Sequence, residues 1–193
     1  MNTYITKKDI IDKLNFYEID HKKIISKYES KTRYYHNLDH ILFMLNKAYE
    51  KDVLTDNLFL AIVFHDVIYS TNIFLNKFNE LLSGLYFKFC IKNKLPKNDI
   101  DRIYKAILST KNHKIVNTLS HRLIELDLYV LYNDFDTFKE FEDNIRKEYK
   151  HIKTKHYYYN RYIILKKYNI SKEKLYYVLK KYRIELTNGN KIF

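Results

Sequence analysis

The sequence predicts an all-α fold, a helical bundle of at least seven helices. Apolar residues recur at helical spacing through nearly the whole chain. Only two Gly and one Pro punctuate 193 residues, too few for a loop-rich all-β protein. The strand-like runs, such as 114–118, stand too far apart to form a sheet. The length, with 46% hydrophobic and 30% charged residues, suits one globular domain over 1–193 that buries its core without staples.

The first helix is expected at 7–30, with Ile10, Ile11, Leu14, Tyr17, Ile24, Ile25 and Tyr28 facing inward. A second begins near Leu38 and carries Ile41, Leu42, Met44, Leu45 and Tyr49. The third, at 56–69, is apolar on nearly every face and should be central. Residues 70–76 have no period and read as a loop. Helices follow at 77–94, 98–109, 119–133, 137–152, 155–168 and 172–187, with Pro96 and Asn98 at one start and Ser171 as an N-cap. The tail 188–193 is expected to fray. A metal-site core would occupy about 33–133, and the C-terminal helices about 137–187.

Composition removes several function classes. Neither GxGxxG nor GxxxxGK[ST] occurs, so a glycine-rich phosphate loop is excluded. Cys90 is the only cysteine and lies in the apolar run 85–91, which suits a buried thiol in a reducing compartment. The opening MNTYITKKDI lacks the apolar core of a signal peptide, and no run reaches the ~18 apolar residues of a membrane span. A cytoplasmic protein without membrane contact is expected. The net charge of +12 invites an anionic partner, nucleic acid or a phosphorylated small molecule. The favoured residues, Lys, Asn, Ile, Tyr and Phe, are also those of AT-rich codons, so coding composition accounts for much of the lysine excess more readily than a partner does.

Chemistry is expected where charge breaks a core-like run. His65 and Asp66 interrupt FLAIVFHDVIY, and Glu125 and Asp127 interrupt LIELDLYVLY. An unpaired buried carboxylate costs several kcal/mol, so such groups are normally paired or bound to a cation. In RYYHNLDHILFML, His36 and His40 are four residues apart and can share a face if the helix starts early enough. His40 opens the inward run, and His36 lies nearer solvent. His40, His65, Asp66 and Asp127 form a two-histidine, two-carboxylate set that suits one divalent ion of Mn, Fe, Mg or Zn, or two, with coordination positions left open.

The order H…HD…D on a helical chain resembles the HD superfamily of metal-dependent phosphohydrolases, and within it the small bacterial predicted HD phosphohydrolases. The likeness rests on Tyr35-His36-Asn37-Leu38 with His40, on His65-Asp66 followed by Val67, Ile68 and Tyr69, and on Asn79-Glu80 with Ser83. It continues through Thr110, Lys111 and His113, then Glu125-Leu126-Asp127-Leu128, then Ile145, Arg146, Glu148 and Tyr149. It spans about 33–161. The Tyr-His-Asn-x-x-His segment is also similar to that of cyclic-nucleotide phosphodiesterases. Family members usually carry Asp at the position of Glu125 and a more acidic loop at 70–78, and the stretch after Ile170 matches poorly. No His pair has the spacing of the binuclear subfamilies. His113 and His121 are the only histidines in that interval, and His121 is expected at the surface.

The resemblance implies hydrolysis of a phosphomonoester or phosphodiester, in a nucleotide-like substrate, by water activated at the cation. His36 would be the general acid and His40 a ligand, with Asp66 both ligand and orienter of water. Arg33, Lys111 and His113 are the expected phosphate contacts, and Asn79 and Glu80 would support the site or touch a base or ribose. Two other readings stay open: a basic helical module that binds nucleic acid, and an inactive HD fold kept for protein interaction.

Overall fold

The computed structural model describes residues 4–189, with side chains to residue 183. Among these are ten α-helices, two 3-10 turns and no strand, so the all-α fold is as expected. No helix among them is long and apolar enough to cross a membrane. The chain forms two compact units, one ending at Leu128 and the next beginning at Tyr129.

The first unit contains α1 (Lys7–Phe16), α2 (His21–Tyr28), α3 (Leu38–Glu50), α4 (Asp56–Phe64), α5 (Asn79–Ile91), α6 (Lys97–Ser109) and α7 (Thr118–Asp127). The single helix expected at 7–30 is two. Asp20 accepts a hydrogen bond from the Lys23 N–H and caps α2, while Glu18 turns the chain at φ 50°. A side-chain cap starts a new helix as effectively as Gly or Pro ends one, because it satisfies an N–H that the preceding turn would otherwise have served. Thr6 and Asp9 form a capping box on α1, and Asn37 caps α3.

Helix α4 is the centre of this unit. Residues 58–64 are all buried, and the helix packs on α3, α5, α6 and α7. Each large side chain buried there contributes about 1.5–3 kcal/mol against exposure. The Tyr28 hydroxyl donates to the Val63 carbonyl at 2.8 Å, so this buried polar group is satisfied. Close approach of α5 to α6 depends on Gly84, where an added Cβ would sit 2.8 Å from the Tyr104 ring.

Helix α4 was expected to reach Tyr69 but ends at Phe64, with His65 as its C-cap. The carbonyls beyond find side-chain donors instead. Arg33 donates to Asp66 O at 2.8 Å and Val67 O at 3.1 Å. The Ser83 hydroxyl donates to Ile68 O at 3.1 Å and accepts from Ile68 N–H at 3.0 Å. The chain therefore leaves the helix at the histidine-aspartate pair without stranding buried backbone groups.

The second unit contains α8 (Phe135–Glu148), α9 (Thr154–Lys166) and α10 (Lys172–Gly189). Buried Glu142 accepts from Arg161 Nε at 3.0 and 3.1 Å. Lys174 donates to the carbonyls of Leu131 and Asn133 and lies over the Phe138 ring, and burial lowers its pKa. Ser171 caps α10 as expected, accepting from Lys174 N–H at 3.3 Å. Helix α10 passes the expected end at Thr187, and positions 190–193 of the expected tail lie outside the described residues.

Candidate metal centre

Helix ends of the first unit bring the polar residues together. His40 is the third residue of α3, one turn inside the Asn37 cap, which accepts from the Asp39 and His40 N–H groups at 3.0 and 3.2 Å. His65 closes α4 and Asp127 closes α7. Helix α3 begins at Leu38, near the expected start, so His36 precedes the cap on a bend and does not share a helical face with His40. Its ring still lies 6.0 Å from that of His40 and stacks on Tyr69 at 4.1 Å. His113 comes from the loop before α7 with φ 54°, a left-handed conformation that His tolerates better than most residues.

His40, His65 and Asp127 each offer a ligand atom, all within 4.8 Å of one another, and the group can hold a metal ion. His40 Nε2 is 3.3 Å and His65 Nε2 3.7 Å from Asp127 Oδ1. Asp66 Oδ2 lies 3.1 Å from His65 Nε2 and 3.9 Å from His36 Nε2. His113 Nε2 is 3.5 Å from Asp127 Oδ2. Despite these short separations, His40 Nε2 and His65 Nε2 are buried and make no well-formed hydrogen bond. Nitrogens and carboxylate oxygens that converge without bonding to one another fit a cation held between them. His65 Nδ1 donates to the Ile62 carbonyl at 2.8 Å, which fixes the tautomer and turns the Nε2 lone pair toward the cluster.

Electrostatics favour positive charge here. Burial works against charge on His65, but Asp66 and Asp127 outweigh it and hold its pKa well up. Burial dominates at His40 and lowers its pKa, against the pull of Asp127. Burial would raise both aspartates, yet the surrounding imidazoles hold Asp66 and Asp127 below the usual carboxylate range. Two ionised carboxylates in a desolvated pocket favour a positive charge between them.

The outlying residues take varied positions. Arg33 was expected to touch phosphate. Its guanidinium donates to the carbonyls of His36, Asp66 and Val67 and lies over the Tyr28 and Tyr69 rings, which makes it a brace between the bend at His36 and the corner at Asp66. Asn79 is likewise a clamp: its amide exchanges two 3.0 Å hydrogen bonds with the Ser70 backbone. Lys111 donates to the Lys77 carbonyl from an exposed position. Glu80 has one buried carboxylate oxygen without a hydrogen bond. Burial pushes its pKa up, and the Asp66 charge adds to this.

Glu125, expected to interrupt the core beside Asp127, is instead half-exposed and paired with Lys51 at 2.7 Å and Arg122 at 3.2 Å. His121 is exposed, as expected. Sequence reasoning gave no support role to Tyr28 or Ser83, and only their spatial neighbours reveal one. No family model matches the chain, and no curated protein or solved structure matches it either.

Proposed function

We propose that this protein is a metal-dependent phosphohydrolase acting on a nucleotide-like phosphoester in the cytoplasm. The observation that carries the reading is the convergence of buried His40 and His65 on half-buried Asp127, with the unbonded imidazole nitrogens facing carboxylate oxygens. Asp66 joins this group as a fourth ligand from the side of His65. Mn, Fe or Zn suits two imidazoles better than Mg does. Such a cation supplies Lewis-acid stabilisation of phosphoryl charge and water of lowered pKa.

The remaining work falls to the chain's own side chains. Asp66 orients the attacking water. His36, with Nε2 3.9 Å from the Asp66 oxygen that also faces His65, holds a proton at Nε2 and passes it to the leaving oxygen. Stacking on Tyr69 fixes its ring plane. Lys111 supplies positive charge toward the phosphate, His113 contacts it, and Glu80 stands near both.

A panel of nucleoside mono-, di- and triphosphates, cyclic nucleotides and dinucleotides, each assayed with Mn, Fe, Mg and Zn, tests this reading. At least one metal should support turnover that EDTA abolishes. Metal bound with no hydrolysis anywhere in the panel would overturn the enzyme reading and leave an inactive interaction protein.

A further inference from the structure

Helix α5 is apolar on both faces. Its inner side sends Ser83, Phe87 and Ile91 into the first unit, with Phe87 and Ile91 fully buried in the core. Its outer side shows Leu81, Leu82, Leu85 and Phe89 to solvent, preceded by Phe78, with exposures from 39% at Leu81 to 77% at Phe89. These positions follow helical spacing and make one stripe. The loop leading into α5 adds Ile73, Phe74 and Leu75 in succession, with Phe74 75% exposed.

Size decides what such a surface is for. Large side chains of this kind carry about 150–250 Å² each, so the eight together expose on the order of 800 Å² of apolar residue surface. The largest patch on a typical monomer is about 300–600 Å². The share of one partner in a stable protein interface is about 800 Å². No charged side chain lies in the middle of the stripe. Lys77 lies between the 73–75 loop and the helix, with its Nζ 5.1 Å from the Phe78 ring centroid, Lys92 follows the far end, and Lys88 at the margin turns to Asp101 at 2.9 Å and to the Tyr104 ring. An apolar helix stripe with one lysine beside it and the other charges at its margin has the anatomy of a protein interface. A straight helical stripe can pack antiparallel against its own copy, and isologous pairs of this kind are the commonest oligomers.

We infer that two copies of this chain pair through the outer face of α5 and the 73–75 loop. The inference stands apart from the phosphohydrolase reading. It bears on the same region, because Ser83 and Asn79 of α5 hold Ile68 and Ser70 beyond Asp66.

Sedimentation of the purified full chain tests it. The expected mass is twice the 23.7 kDa of one chain. Phe74→Asp and Phe89→Asp replace side chains on which folding does not rest, and each should weaken dimerisation at least about 10-fold while leaving helicity unchanged. Tyr176→Asp, at a site 65% exposed in the second unit, should leave the dimer intact. A wild-type chain that is monomeric at every concentration overturns the inference, as does a dimer that survives both Phe variants. A monomer that co-sediments with phosphatidylserine vesicles assigns the face to a lipid surface and overturns it too.

Discussion

Replacing His40 by Ala should remove metal and activity together, while His36→Ala should keep the metal and lose only turnover. His40 Nε2 is buried 3.3 Å from Asp127, inside the group able to hold an ion. His36 lies outside that group, 3.9 Å from Asp66 and stacked on Tyr69. The expected loss for His36→Ala is about 10²–10⁴-fold in turnover, the range for a lost proton transfer. The deficit should shrink on p-nitrophenyl phosphate or its diester, whose leaving group needs no proton. Metal analysis with kinetics on good and poor leaving groups checks both halves. Metal loss in His36→Ala with retention in His40→Ala would reverse the roles. Equal deficits on both leaving groups would make His36 a positioning residue.

Asp127→Asn should lower turnover on the order of 10³-fold or more, as when one member of a cooperating catalytic set is removed. The amide keeps the shape but removes the charge that faces His40, His65 and His113. The fold should survive, because Asp127 sits at the end of α7 and makes no helix cap. Asp134→Asn is the matched control. Asp134 caps α8 by accepting from the Thr137 N–H and hydroxyl, and Asn caps as well as Asp does. Its activity should equal that of the wild type. Equal activity in the two variants would exclude Asp127 from the metal site.

The site was legible where chemistry conflicts with burial. A histidine-aspartate pair in FLAIVFHDVIY has no place in an apolar core unless something answers its charge, and the structure sets it against Asp127 and His40. The same logic misread Glu125. Positions 125 and 127 are two residues apart, about 200° around a helix, so one carboxylate must face out when the other faces in. Arg33 was illegible as a brace, because its acceptors at Asp66 and Val67 are more than thirty positions away. The break between α1 and α2 was hidden for a different reason: Glu18 adopts positive φ and Asp20 caps the next helix, with neither Gly nor Pro to signal it. His113 entered only through the family resemblance, since nothing in a polar loop marks a histidine that will reach Asp127.

Elemental analysis of the purified full chain, paired with thermal melting before and after EDTA, tests metal binding most directly. The cluster predicts about one divalent transition-metal ion per chain. Chelation should lower the melting temperature by several degrees, because an ion that binds only the folded state stabilises it by mass action. Restoring Mn, Fe or Zn should recover the original value, and His40→Ala should show neither the metal nor the shift. A chain that purifies without metal and melts at the same temperature with EDTA and with each added ion would contradict the account.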